Sequence, residues 1–312
     1  MESTVHVDTS VPKPSALESF LESDPTAPAP APVMREPSID GNADSWALFN
    51  PVLMPRVSVV IPALNEARNL PHVLPRIPTW VHEVLLVDGH SVDGTADVAR
   101  ELWPGIRIIA QEGKGKGDAL RAGFAAARGD IIVMLDSDGS TDPREIPAFV
   151  GALLAGADFA KGSRFMQGGG TSDMSLFRHL GHGALLTLVR LAFGCSYSDL
   201  CYGYIAFWSC VLPRLALDAD GFEIETLMNV RALRANLRVA EVHSFEAPRV
   251  YGESRLRAIP DGFRVLRTII RERLGLDDKV RQPAPSLAER LFAHSARPAE
   301  PCLAYGPRSV AE

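Results

Sequence analysis

The sequence runs to 312 residues, 46% of them hydrophobic and 22% charged, with a formal net charge of -6. That composition supports a substantial apolar core, and a mildly acidic chain without a Lys/Arg run lacks the phosphate-neutralising surface of a general nucleic-acid binder, so no nucleic-acid partner is expected. No window reaches the roughly 18 to 20 uninterrupted apolar residues that a membrane-spanning helix needs.

Residues 1–55 carry Pro12, Pro14, Pro25, Pro28, Pro30, Pro32 and Pro37 among Ala, Ser and acidic residues. They are expected to form a disordered leader, because such a composition buries too little to offset its ordering entropy. The first residues, MESTVHVDTS, have neither the basic start nor the apolar stretch of a secretory signal. Residues 56–276 are expected to form a single domain. Within it a Val/Ile run at 57–61 precedes a helical pattern over 66–76, and a second run at 83–87 precedes a helix over 95–102. A third run at 106–110 leads to an Ala-rich helix over 118–128, and the most apolar run, 131–135, ends in the acidic loop DSDGSTDP. This alternation predicts an α/β fold, a largely parallel sheet with helices on both faces. On a helix over 181–193, Leu185, Leu188, Val189 and Ala192 share an apolar face that suits either a membrane interface or ordinary core packing. From 277 to 312 the Pro/Ala character returns, which predicts a mostly disordered tail with a short helix in SLAERLFAH. Cys195, Cys201, Cys210 and Cys302 form no CxxC pair and are expected as reduced thiols of a cytoplasmic protein.

In open α/β sheets ligands bind beyond the carboxyl ends of the strands. Here those positions read PALNE, DGHSVDGT, EGKGKGD and DSDGSTD, and four polar strand ends together predict one composite site. Asp136 and Asp138, two residues apart after a buried strand, can face one cation if the loop turns sharply. Mg2+ or Mn2+ takes few carboxylates plus substrate phosphate oxygens, which suits a nucleotide diphosphate. Gly113, Gly115 and Gly117 with Lys114 and Lys116 make a strand-to-helix turn whose backbone N–H groups could receive phosphate. The turn matches neither a P-loop nor a dinucleotide-binding fingerprint. His179, His182 and His243 lack metal-ligand spacing and are not expected to bind metal.

The ordered set VSVVIPALNEARNL, LLVDGHSVDGT, GKGDALRAGF, ARGDIIVMLDSDG, KGSRF, SDLCYGYIAFW and GFEIETLMNVRALRANLRVAEVHSFEAPRVYGESRL resembles the family 2 glycosyltransferases of the GT-A fold. Within them it looks most like the dolichol- or polyprenyl-phosphate hexosyltransferases. The resemblance implies a Rossmann-like, mostly parallel sheet and an inverting transfer of hexose from a nucleotide-diphosphate sugar, assisted by Mg2+ or Mn2+. It further implies that Pro62, Ala63, Asn65 and Glu66 form the first nucleotide loop, that Asp88 meets the base, and that Lys116 lies under the nucleotide. Asp136 would stand near the ribose and diphosphate and Asp138 on the metal, with Arg164 and Arg178 on phosphates. Arg249 and Ser254 in RVYGESRL could hold a phosphate on the acceptor side. The implied acceptor is a polyprenyl phosphate, with peripheral contact at the inner face of the cytoplasmic membrane.

Several positions depart from the family pattern. Gly89 and His90 replace the usual acidic and glycine positions of the second loop, Ser140 stands where a Gln often follows the acidic pair, and YGYIAFW lacks the arginine of SGFRAYR. Glu223 and Glu225 in GFEIET fall where a carboxylate could act as general base toward a hydroxyl acceptor. A phosphate acceptor needs no base, and Glu225 then reads as a helix-start residue favoured by the dipole. GKGDAL and the GGG segment are also similar to the glucosyl-3-phosphoglycerate synthases, so a small phosphorylated or hydroxylated acceptor is the alternative. A nucleotidyltransferase, releasing pyrophosphate, would share the acidic metal site, and a sugar-nucleotide-binding module without turnover would share the pocket.

Overall fold

The structure, a computed structural model, describes residues 54–172 and 174–276. The expectations for the leader before residue 54, for the tail from 277 and for Cys302 lie outside the described residues. Strands β1 (Val57–Ala63), β2 (Glu83–Asp88), β3 (Arg107–Ala110) and β4 (Ile131–Met134) all run parallel, with β1 between β2 and β4. Beyond β4 lie β7 (Ile205–Trp208), β5 (Phe159–Ser163) and β8 (Val239–His243), giving the order β3-β2-β1-β4-β7-β5-β8. β7 is antiparallel to both β4 and β5, while β5 and β8 are parallel. A separate pair, β6 (Gly170–Thr171) and β9 (Phe245–Glu246), closes beside the main sheet.

β1 and β4 are buried along almost their whole length, which is why they read as continuous Val/Ile runs rather than alternating ones. Flanking helices α2 (Thr95–Leu102), α3 (Lys116–Ala126) and α4 (Ile146–Leu154) pack on the sheet. α2 spans the residues expected of it. The helical pattern over 66–76 resolves into a short α1 (Leu70–Val73) followed by a 3-10 turn, Leu74–Arg76. Pro71 and Pro75 limit the helix, since proline donates no backbone hydrogen bond and clashes with the preceding turn.

A second apolar cluster forms where α5 (Leu176–Phe193), α7 (Ile224–Arg234) and α8 (Ala258–Arg273) meet, around Leu186, Val189, Leu200, Val230, Val265 and Ile269. Of the two roles open to the 181–193 face, core packing is the one adopted: Val189 is fully buried, and Leu185 and Leu188 pack on this cluster. α7 is fastened to α8 by Arg231, whose Nε and Nη2 donate to Glu272 Oε1 at 3.0 and 2.9 Å. Cys195 and Cys201 are free thiols.

Candidate active site

The parallel register brings Ala63 opposite Asp88, and Asp88 opposite Ala110, along one edge of the sheet. β4 reaches the same edge, and Ser137 Oγ donates to Pro62 O at 2.8 Å. A cavity of about 200 Å³ opens there, lined among others by Pro62, Ala63, Glu66, Lys116, Asp136 and Asp138. The first loop is shaped by Asn65, which has a φ of 55° in the left-handed region. Its amide donates to Ser91 Oγ and its side-chain oxygen accepts from Val92 N, both at 2.8 Å. An Asn tolerates that backbone because its short amide can bond locally. Asp88 accepts from Ser91 N at 3.3 Å, a bond within the second loop, while the two Asn65 bonds tie that loop to the first.

The charges in this cavity are tightly paired. Lys116 Nζ lies 2.5 Å from Asp136 Oδ1 and 2.6 Å from Glu225 Oε1. Burial would lower the Lys116 pKa, but the two carboxylates hold it above the ordinary lysine range. Burial pushes Asp136 up to about 6, with Asp138 and Glu225 adding to the rise and Lys116 opposing it. Asp138 Oδ1 accepts from Ser140 N and Oγ at 3.0 and 2.7 Å, and its Oδ2 accepts from Arg249 Nη1 at 3.2 Å. Arg249 also pairs with Glu66 through Nη2, and its Nε donates to Tyr251 O. Its guanidinium thus stands between two carboxylates at the mouth of the pocket. Gly203 packs against these three charges: a Cβ there would lie 2.7 Å from Asp136 Oδ2, 2.8 Å from Lys116 Nζ and 2.9 Å from Glu225 Oε1.

The glycine-rich turn serves a purpose other than the one its composition suggests. Gly117 N and Asp118 N, expected to face phosphate, donate instead to Asp220 O at 2.8 and 3.3 Å. A Cβ at Gly115 or Gly117 would run into the carbonyl oxygens of Asp220 and Ala219, so these glycines permit close approach of two backbones. Those two N–H groups are thereby taken, and Gly115 and Lys116 are the residues of this turn that line the pocket.

A second cavity, about 380 Å³, lies between α5 and α8 and meets the first at Phe222, which lines both. Its walls include Leu185, Ile259, Phe263, Val265 and Leu266, and its charged and polar lining includes Arg164, Arg178, His182, Glu225 and Asp261. Arg164 is buried, with Nε and Nη2 donating to Asp199 at 2.7 and 2.9 Å, Nη1 to Glu246 at 3.0 Å and Nη2 also to Cys201 O at 3.1 Å. Burial opposes ionisation of Asp199, yet Arg164 and His182 hold its carboxyl far below the usual range. Exposed Leu176, Phe177 and Leu180 of α5 and Ile259 and Phe263 of α8 give this region an apolar outer surface.

Residues 58–202 match the model of glycosyl transferase family 2. The polyprenol monophosphomannose synthase of Mycolicibacterium smegmatis is 31% identical over 236 residues, covering 70% of this chain and 89% of that protein. The chain belongs to glycosyl transferase family 2. The dolichol-phosphate mannosyltransferase of Pyrococcus furiosus is 32% identical over 211 residues, which span 65% of this chain and 59% of that relative. Among solved structures, glucosyl-3-phosphoglycerate synthase from Mycobacterium tuberculosis, in complex with Mn2+, UDP and phosphoglyceric acid, superposes with a TM-score of 0.57 at 25% identity. That match covers 70% of this chain and 78% of the other. The GT-A architecture expected from the motifs is the one found.

In this family 2 glycosyltransferase the expected site residues fall into three groups. Pro62, Ala63, Glu66, Lys116, Asp136 and Asp138 line the first cavity, and Arg164, Arg178 and Glu225 line the second. Asn65 and Asp88 shape the loops beside the first cavity through the bonds given above. Arg164, expected at the donor phosphates, therefore borders the other chamber, with its guanidinium held by Asp199 and Glu246. Gln111 and Phe222 line the first cavity without having been singled out in the sequence. Gln111 follows β3 directly, so the strand-end rule reaches it; Phe222 carries no motif signal of its own.

Proposed function

We propose that this glycosyltransferase moves a hexose from a nucleotide-diphosphate sugar to a polyprenyl phosphate, with the first cavity taking the donor and the second the acceptor. The observation that carries the reading is the apolar chamber between α5 and α8, which ends beside Glu225 and Lys116. An isoprenoid chain suits its Leu, Ile, Val and Phe walls, since an apolar cavity rewards an apolar occupant in proportion to the area removed from water. The mycobacterial and archaeal relatives named above, a polyprenol monophosphomannose synthase and a dolichol-phosphate mannosyltransferase, support the same acceptor class. A small acceptor, as in the phosphoglycerate synthase, would leave those walls without a role.

In this reading the acceptor phosphate enters beside Arg178, and one of its oxygens attacks the anomeric carbon on the face away from the nucleotide. The new C–O bond forms as the bond to the diphosphate breaks, and that electron pair leaves with the nucleoside diphosphate, with inversion. The phosphate is already anionic, so Glu225 is not required as a base. It holds Lys116 in place, and Lys116 with Asp136 sets the charge under the donor. The oxygen-rich pair Asp136 and Asp138 suits Mg2+ or Mn2+, because such ions take few carboxylates and complete their shell with phosphate oxygens. The Arg249 guanidinium now pairs with Asp138, so this carboxylate already holds a positive charge, which a metal ion would have to displace from it. A bound Mg2+ or Mn2+ would neutralise the leaving diphosphate. Among the described residues no group of three or more His, Cys, Asp or Glu side chains is placed to hold a metal ion.

The apolar outer surface of α5 and α8 suits docking on a bilayer, from which a polyprenyl phosphate would pass into the chamber. No helix of the described residues is long and apolar enough to cross a membrane. The test is nucleotide release from UDP- and GDP-hexoses with and without Mn2+ and a short polyprenyl phosphate, followed by solvent partition of labelled sugar. Lipid-dependent release with label in the organic phase is expected. Release that ignores the lipid and leaves label in water would replace it with a soluble acceptor.

A further inference from the structure

We propose that Phe222 is the partition between the two cavities, a positioning residue that keeps water from the anomeric carbon until an acceptor displaces it. The proposal rests on the nucleotide-sugar part of the reading above and not on the acceptor's identity. Phe222 lines both chambers, half-buried, with its ring centroid 5.9 Å from Lys116 Nζ. Nucleophilic attack with inversion must arrive on the face opposite the leaving diphosphate, and in the reading above the nucleophile comes from the second cavity, which shares Phe222 with the first. Any water reaching this position from the second chamber would give hydrolysis: a water oxygen bonds to the anomeric carbon, the bond to the diphosphate breaks, and the water proton goes to solvent. The phenyl ring offers such a water no hydrogen-bonding partner.

The ring is held at this boundary by unusual local anchoring. The backbone just before it accepts from Gly117 N and Asp118 N at Asp220 O, and Arg121 Nη2 pairs with Asp220 Oδ1 at 2.7 Å. Just after it, Glu223 Oε1 accepts from Gly221 N at 3.2 Å and Ile224 N donates to Gly221 O at 3.3 Å. The small residues of GKGKGD thus fix where the aromatic side chain stands, although they lie over a hundred positions away in sequence.

The experiment measures nucleoside diphosphate and free sugar released by the full chain from UDP- and GDP-hexoses with Mn2+ and no acceptor. Phe222→Ala is expected to raise acceptor-independent release by about tenfold, and Phe222→Leu, which keeps the bulk, to stay near wild type. Release from Phe222→Ala no higher than wild type, with labelled nucleotide still bound, overturns the partition. If the alanine variant does not fold, Phe222→Val read in the same way decides. If wild-type protein binds no nucleotide at all, the donor pocket and the partition fall together. Adding polyprenyl phosphate to wild type tests the acceptor separately: label that stays in water removes the lipid acceptor and leaves the partition standing on the release ratio.

Discussion

The ammonium of Lys116 stands 2.6 Å from Glu225 Oε1, an ion pair that joins the lining of the first cavity to the wall of the apolar chamber. Both side chains are largely buried, and Lys116 also pairs with Asp136, so removing the lysine leaves two carboxylates facing each other without a counter-charge. Loss of one partner of such a buried pair costs about 3 to 5 kcal/mol. Lys116→Met is expected to unfold at clearly lower urea concentration than wild type. Adding Glu225→Gln should restore about 1 kcal/mol or more, a coupling that a double-mutant cycle measures directly.

Glu225→Gln alone distinguishes a base from a lysine partner. With a phosphate acceptor the variant should keep turnover within about tenfold to a hundredfold of wild type and show no new dependence on pH. A loss of all transfer, rescued by raising pH or by an external base, would mean that proton removal by Glu225 is part of the reaction.

Gly203 leaves room for the three charged groups above it. Gly203→Ala should lower kcat/KM by about a hundredfold, because its methyl group displaces Asp136, Lys116 or Glu225, while overpacking costs only about 1 to 3 kcal/mol of stability. Thermal melts beside steady-state kinetics would separate the two effects. A variant with unchanged kinetics would show that the carboxylate positions are not critical.

The raised pKa of Asp136 has a sign that can be worked out. Its ordinary value is 3.8 and in the fold it is pushed up to about 6, so between these the unfolded chain has lost a proton that the folded protein keeps. Metal-free stability therefore falls as pH rises through that window and is level in this respect above it. Urea titrations across the window should show the slope, and Asp136→Asn should flatten it.

Asp138 makes its contacts with Ser140 and Arg249 at a partly open pocket. Asp138→Ala is expected to remove Mn2+-stimulated turnover, by about a hundredfold or more, with little change in melting temperature. An unchanged rate would remove Asp138 from the site.

Leu176 and Leu180 are 75% and 65% exposed on the first turns of α5. The double variant Leu176→Glu with Leu180→Glu should weaken sedimentation with anionic vesicles by about tenfold or more, since carboxylates replace buried apolar area. Binding equal to wild type would remove this face of α5 from the proposed membrane contact.

Much of the sheet was legible because parallel buried strands leave unbroken Val/Ile runs, and because their polar ends stand out against those runs. α2 could be read to its boundaries from periodicity. What sequence could not carry was long-range. Arg164 looked like a phosphate ligand, yet Asp199 and Glu246, far along the chain, meet it in space. Glycines 115 and 117 carry the composition of an anion-binding turn, and only the fold shows that the carbonyl of Asp220 has taken their place. The apolar face around Val189 could not be assigned to membrane or core until α7 and α8 were seen against it.

The reversed strand β7 decides where this chain tolerates change. Because Ile205 pairs with Met134 while Trp208 pairs with Ile131, the chain enters β7 at the edge where the chemistry lies and leaves it at the far edge, where Ser209 N bonds to Asp130 O. Extra residues or a fluorescent label introduced just after β7 would sit a strand's length from the pocket. The same insertion just before it would strike Gly203, so two junctions only a few residues apart differ in everything that matters for engineering this enzyme.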